Sequence, residues 1–446
     1  MQGYSLFDYM PAKNELHARV DLSADGLYQA IREEFSKIPD HRVNPSISLT
    51  DALMSAFAIF SQKNASLLEF EREKVKNKNL QSIYKIQEIP SDTQMREIVD
   101  EVSTGAFRKI YKNLFSKLQR GKVLESYRVL DDYYILSGDG TGFFSSEKIH
   151  CKSCLVKNKK SETLYQHMMY GACIVHPDKK EVIPLMFEPI TNEDGKTKND
   201  CELNASKRFI EDFRREHPHL KTIFVEDSLF SNAPHIELLK EKNLSFIIGV
   251  KEKNHKHLYN QFDKLQELKK TEQLCIEKDG VSHYFSFTNQ IFLNETSELK
   301  VNILEYKQVD KKEHMIVFSW VTDIEITKEN AYELMRIARA RWKIENETFN
   351  TLKNQGYHFE HNYGHGSKNL SNNFATLMIL AFLVDQIQQS SCALFRKALG
   401  TFHAKRLFWQ KIRNLFEIFE FSSMEQLFQA IAYGFKANIS IGENSS

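Results

Sequence analysis

Between Tyr133 and Val250 the chain alternates short apolar runs with one-sided helical stretches, and few folds accept that alternation. Tyr133–Phe144 (YYILSGDGTGFF), Gln166–Val175 (QHMMYGACIV) and Glu181–Glu188 (EVIPLMFE) read as three strands parted by polar or turn-forming residues. Asp200–Glu216 places Leu203, Phe209, Ile210 and Phe213 along a helix. Thr222–Val225 is a short buried-strand signal ending at Glu226 and Asp227. Helix His235–Lys242 and strand Ser245–Val250 follow. Three strands, then helix, strand, helix and strand, call for an α/β fold: a mixed sheet with helices against its faces.

The flanks have a different texture. Residues 1–125 read as helical, with Leu49–Phe60 capped by Thr50 or Asp51 and Arg96–Gln119 carrying apolar residues at helical spacing. Glu69–Lys78 is a mixed-charge run, read as a solvated helix face. Residues 251–325 break the alternation. From Gly280 to Thr322 they hold strand-like segments (HYFSF, QIFL, KVNILEY, MIVFSWV), a β-rich insertion. A long amphipathic helix is expected from about Thr327, carrying Tyr332, Leu334, Ile337, Trp342, Ile344, Phe349 and Leu352. Phe395, Phe402, Phe408, Trp409, Phe416, Phe419 and Phe421 pack a C-terminal helical region. The expected divisions are 1–125, an N-terminal DNA-binding region; 126–250, the first part of the core; 251–325, the insertion; 326–370, the last part of the core; and 371–446, the C-terminal helices.

Charge balances almost completely, 60 Lys and Arg against 59 Asp and Glu, so any basic surface for nucleic acid must be local. The most apolar run, Phe374–Val384, is too short to span a bilayer and stops at Asp385. No leader is expected at the N-terminus. Six cysteines do not resemble a secreted disulfide framework, which points to a reducing cytoplasm.

Three acids recur at element ends or beside small residues. Asp139 lies within the first strand, followed by Gly140-Thr141-Gly142, which leaves room for a metal and a phosphodiester close to the backbone. Asp227 ends a short apolar strand, where open α/β sheets place ligand groups. Glu345 sits on the long helix, four residues after Arg341. Each alone has an ordinary explanation: a hairpin-turn Asp, a helix-capping Asp, and a solvated helix carboxylate paired with a nearby base. Together they form the order that two-metal phosphoryl transfer needs, hard oxygen ligands held on rigid elements.

The blocks LSGDGTGFF, FVEDSLFSNAPHI and RWKIENETFNTLKNQGYHFEHNYGHG resemble the DDE transposases of bacterial insertion sequences, over about residues 126–366. The likeness is greatest to the branch with a Tyr-Arg-Glu-Lys signature around the last acid. It implies a ribonuclease-H-like catalytic core, the fold that the element order also suggests. By motif, Asp139, Asp227 and Glu345 would be the catalytic residues and the ligands of two Mg²⁺ or Mn²⁺ ions. Arg341 would touch a phosphate near the cleavage point. Trp342 is expected in the core, with DNA contact as its alternative. Two positions depart from the signature: Ala338 stands where its tyrosine would, and Leu352, with Lys353 beside it, where its lysine would. Lys353 is the candidate phosphate anchor. Glu347 is a second candidate for the last acid.

The resemblance implies cleavage at element ends and strand transfer into target DNA by a prokaryotic, nucleoid-associated protein. Its partners would be terminal inverted repeats, target DNA and a second copy in the DNA complex, with no membrane. The alternatives are a ribonuclease-H-like nuclease that cuts without joining, and an inactive DNA-binding descendant of a transposase.

Two features stand apart from that reading. Lys157, Lys159 and Lys160 are expected in a basic loop between the first two strands, in reach of phosphates. Cys151 and Cys154 form a Cys-x-x-Cys pair for which free loop thiols are the favoured reading. A structural zinc would need two further ligands, with His167 and Cys201 the nearest of suitable type. His358, His361 and His365 fall in a glycine-rich stretch read as a polar loop near DNA.

Overall fold

The computed structural model describes residues 20–73, 78–159, 162–192 and 200–435. They fall into two compact units. One gathers the described residues up to Val123, Asn354–His358 and those from Leu380 onward; the other holds Leu124–Lys353 and Phe359–Ile379.

The first unit is helical. Helix Leu49–Gln62 is capped by Ser48, whose Oγ accepts from the Asp51 amide at 3.0 Å, and not by Thr50 or Asp51. Asp51 instead takes an ion pair from Arg32 at 2.9 Å. The helix expected over Arg96–Gln119 is divided. One helix covers Asp92–Asp100, a 3₁₀ turn occupies Thr104–Phe107, and a second helix runs Arg108–Arg120. Ser103, Thr104 and Gly105 interrupt the helix while the apolar spacing continues on either side, so spacing alone did not reveal the break.

The second unit is built on one mixed sheet. Its long strands are β1 (Tyr133–Ser146), β2 (Leu155–Lys159), β3 (Glu162–Val175), β4 (Thr222–Glu226), β5 (Ser245–Gly249), β6 (Glu272–Lys278), β7 (Val281–Phe292), β8 (Lys300–Val309) and β9 (Met315–Thr322). They lie in the order β2-β3-β1-β4-β5-β9-β8-β7-β6. β1 pairs parallel with β4, and β4 with β5, while β1 and β3 are antiparallel. Helix α1 (Glu202–Glu216) packs on β1 and β3; α2 (Ala233–Glu241) and α4 (Ala331–Arg339) pack on β5; α3 (Lys256–Glu267) packs on β7. This is a ribonuclease-H-like α/β arrangement. The insertion adds to it: β9 pairs antiparallel with β5 (Trp320 opposite Gly249), and β8, β7 and β6 extend the same sheet.

Three local expectations change. Glu181–Glu188 is not one strand but two short pairings with β3, Ile183–Pro184 and Glu188–Ile190; a proline has no N–H to continue a ladder. The loop expected to carry Lys157 and Lys159 is strand β2, at the sheet's edge. The long helix from Thr327 is broken: α4 ends at Arg339, a turn follows, Ile344–Phe349 is a π-helix, and Asn350–Asn354 returns to α. The run Phe374–Val384 belongs to the 22-residue helix Leu370–Ser391. That helix is long and apolar enough to cross a membrane, yet 94% of its most apolar window is buried within the protein.

Candidate active site

The register between β1 and β4 brings the first two acids together. Ser137 pairs with Val225. Asp139 and Asp227 each lie two residues past that pair, at the same level on neighbouring parallel chains. Because side chains repeat every two residues and adjacent strands are about 4.8 Å apart, both acids leave the sheet on one side. Asp139 stays inside β1, opposite Gly171, and only 19% of its side chain is exposed. Asp227 lies just beyond β4, where its Oδ1 accepts from the Leu229 amide at 2.8 Å and so closes a turn.

Glu345 reaches the same place through Arg341. One nitrogen of that guanidinium, Nη1, donates to Asp139 Oδ2 at 3.1 Å and forms an ion pair with Glu345 Oε1 at 2.7 Å. The two oxygens can therefore be no further apart than the sum of those contacts, about 5.8 Å. Ser137 Oγ donates to the Arg341 carbonyl at 2.9 Å, pinning the turn before the π-helix onto β1.

A fourth acid adjoins Asp227 at the edge of this cluster, and no motif marks it. Glu202, in the first turn of α1, lies against Gly140, where a Cβ would run into its carboxylate. Burial, then the negative charge of Asp227, raises its pKa. For Asp139 the effect is larger. Burial pushes its carboxyl up to about 7 against the pull of Arg341 and the Gly140 amide, and the charges of Asp227 and Glu345 add to the rise. The folded protein thus holds a proton between pH about 4 and 7 that the unfolded chain has released, so Asp139 makes stability fall as pH rises through that window. In chelator, Asp139→Asn is expected to melt about 2–5 °C above the parent at pH 8 and to converge with it near pH 4. Melting curves of parent and variant that stay parallel across that range would reject this account.

Residues 159–383, half of the 446-residue chain, match the family described as Transposase DDE domain. The chain belongs to that family. The matched stretch begins after Asp139 and includes Asp227, the insertion strands and Glu345. Membership makes DNA the partner class and transposase chemistry the general activity. No curated protein matches the sequence.

Beneath the acids of this DDE domain lies a buried polar network. Glu226, next to Asp227, points the opposite way, as strand alternation requires. It accepts from Tyr170 Oη at 2.6 Å and meets His235 Nε2 at 2.6 Å, both within the core. Gly138 leaves space for it: a Cβ there would strike the Tyr170 hydroxyl. These contacts fix the end of β4 from below.

Around the last acid, the π-helix changes the angular relation of side chains. Each i→i+5 turn takes in more residues than an α turn, so residues eight apart come closer to a whole number of turns. Lys353 thereby moves toward the Glu345 side, while Leu352 is fully buried. Lys353 Nζ pairs with Glu360 at 3.0 Å. Ala338 is buried. Trp342 is not in the core: it is 47% exposed and lies T-shaped to Phe318 with centroids 6.1 Å apart, because the turn at Arg341 directs it outward. Lys157 is exposed on β2 and pairs with Leu164, seven positions along β3 from Gly171, the partner of Asp139. That is roughly 20 Å of strand, so Lys157 stands well away from Asp139. Lys160 lies outside the described residues, as does the side chain of Lys159.

Away from the acids, Cys151, Cys154, His167 and His365 converge, with ligand atoms all within 4.8 Å of one another. Cys201, the fourth member suggested by the sequence, is exposed at the start of α1 and takes no part. His365 takes its place, from a segment the sequence reading had assigned to DNA.

Proposed function

We propose that the chain is the transposase of a bacterial insertion sequence, cutting DNA at the element's terminal inverted repeats and joining the freed ends to target DNA. The observation that carries this is the Arg341 bridge between Asp139 and Glu345, with Asp227 level with Asp139 just past the end of the neighbouring strand. The donor set suits divalent cations: hard carboxylate oxygens, one of them held so protonatable by burial and like charge that a cation would relieve it. Asp139, Asp227 and Glu345, with Glu202 beside them, would hold two Mg²⁺ or Mn²⁺ ions. Such a pair supplies Lewis acidity to the attacking and leaving oxygens of an in-line displacement.

The chain's own residues do the rest. Gly142, where even a Cβ would meet nothing closer than 3.9 Å, lets a phosphodiester approach β1, while Glu202 fills the space over Gly140. Arg341, anchored through its carbonyl, turns its guanidinium from the carboxylates to a phosphate near the scissile bond, where a bidentate fork fits. Trp342 offers an exposed ring on which a base can stack. Lys353 holds a phosphate further along the strand, and Lys157, with Lys159 and Lys160, meets DNA away from the cut. The N-terminal region, 1–125, binds the repeat, and a second copy joins in the DNA complex.

The test uses DNA flanking the chain's own coding sequence. With Mg²⁺ or Mn²⁺ the protein is expected to nick at the element's ends and to join a pre-cut 3′-hydroxyl end to a supercoiled plasmid. Trp342→Ala is expected to weaken end binding by about tenfold or more. Nicking without joining would make the protein a nuclease of this fold. Binding without nicking would make it an inactive descendant.

A further inference from the structure

We propose that Cys151, Cys154, His167 and His365 bind one zinc ion, a structural site distinct from the acidic cluster. The four side chains come from three places. Cys151 and Cys154 lie in the connection from β1 to β2, His167 is on β3, and His365 follows the segment that carries Glu345. The Cys154 amide donates to the Cys151 carbonyl at 3.2 Å, and the Cys151 amide lies 3.4 Å from Cys154 Sγ, so the pair forms a tight turn with both sulfurs on one side.

Four of the six spacings come close to those of a tetrahedron around an ion, and all six lie within 4.8 Å. Zinc bonds of about 2.3 Å to sulfur and about 2.0–2.1 Å to nitrogen put sulfurs about 3.8 Å apart, sulfur and nitrogen about 3.5 Å, and two nitrogens about 3.3 Å. Here the sulfurs are 3.7 Å apart, each is 3.3 Å from His167 Nε2, and His167 Nε2 is 3.2 Å from His365 Nδ1.

Hydrogen bonding does not explain this arrangement. His167 Nε2 has three close neighbours, and an imidazole nitrogen donates at most one N–H or accepts through one lone pair. A disulfide does not explain it either, since 3.7 Å is far from the roughly 2.05 Å of an S–S bond. An ion at the common centre satisfies all four atoms together. The surroundings are suitably dry: Cys154 and His167 are buried, Phe143 stacks on His167 with centroids 5.6 Å apart, and Phe144 sets its edge against His365 at 4.2 Å.

Four protein ligands leave no open position, so the site is closed and its role is to cross-link. Binding releases the two thiol protons to solvent. The ion would tie the β1–β2 connection and β3 to a segment 198 residues away in sequence from His167, closing a long loop beside the segment that presents Glu345.

The test does not depend on DNA cleavage. Full-length protein purified under reducing conditions is expected to contain one zinc per chain by elemental analysis. Cobalt exchanged into it should give the visible absorption of a tetrahedral site with thiolate charge transfer. The double variant Cys154→Ser, His365→Ala should lose the metal. His365→Cys should retain it, with stronger thiolate charge transfer, which separates loss of a ligand from loss of fold. Less than about a tenth of an equivalent of zinc in the parent, a Cys151–Cys154 disulfide in the reduced protein, or full zinc in the double variant would each overturn the proposal.

Discussion

Asp227→Asn is expected to lower the rate of end cleavage on the order of 10³-fold while leaving binding of the same DNA within a factor of a few. The substitution is unusually clean at this position. Asp227 Oδ1 accepts from the Leu229 amide, and the carbonyl oxygen of an asparagine accepts the same bond, so the turn after β4 persists. The neighbouring Glu226 keeps its contacts with Tyr170 and His235, which fix the strand end from the other side. What is removed is one negative charge at the level of Asp139, and with it a ligand that pairs of divalent ions need. The measurement is single-turnover nicking of end-bearing DNA in Mg²⁺, alongside gel-shift affinity in Ca²⁺. Cleavage within about tenfold of the parent would take Asp227 out of the mechanism and leave its turn as its only role. Glu202→Gln, at the margin of the cluster, should have a smaller effect.

How much of this was legible differs from residue to residue. The element order of the core could be read because β1 and β3 are apolar runs bounded by turn-forming residues and α1 carries its apolar residues near a 3.6 period. Among the acids, Asp139 stands beside glycines, Asp227 at a strand end and Glu345 one turn after Arg341. Glu202 was not legible. An acid in the first turn of a helix is what the helix dipole favours anyway, so its position carries no further signal until β1 is seen to pass beneath it at Gly140. His365 was assigned to a polar loop because nothing local links it to a Cys-x-x-Cys pair more than two hundred positions earlier; the link exists only through the paired strands. The π-helix at Ile344–Phe349 has no composition of its own. The misplacement of Trp342 follows from the turn at Arg341, since an unbroken α-helix would have set that ring on the apolar face.

In the helical unit, Lys63→Met is expected to destabilise by about 3–5 kcal/mol at neutral pH. Lys63 is 1% exposed, and its ammonium lies 2.5 Å from Asp385, 3.9 Å from the centre of the Trp409 ring and 2.8 Å from the Ser61 carbonyl. Tyr357 Oη donates to the same carboxylate oxygen at 2.5 Å. Burial lowers the Lys63 pKa and raises that of Asp385, and each shift is opposed by the other's charge. Methionine fills the stem's volume and, like lysine, has a Cβ at this positive-φ position, so backbone strain at φ 58° is unchanged. What remains is a buried carboxylate with one hydroxyl donor. Its pKa must rise further, and because a raised carboxyl pKa withdraws stability as pH increases, the deficit should grow from acid to neutral pH. Adding Asp385→Asn removes the orphaned charge and should recover more than half of the loss, a coupling that a double-mutant cycle measures directly. Denaturant titrations of the four proteins at two pH values decide it: equal losses at both, or additive losses in the double variant, would mean that Lys63 and Asp385 do not depend on each other.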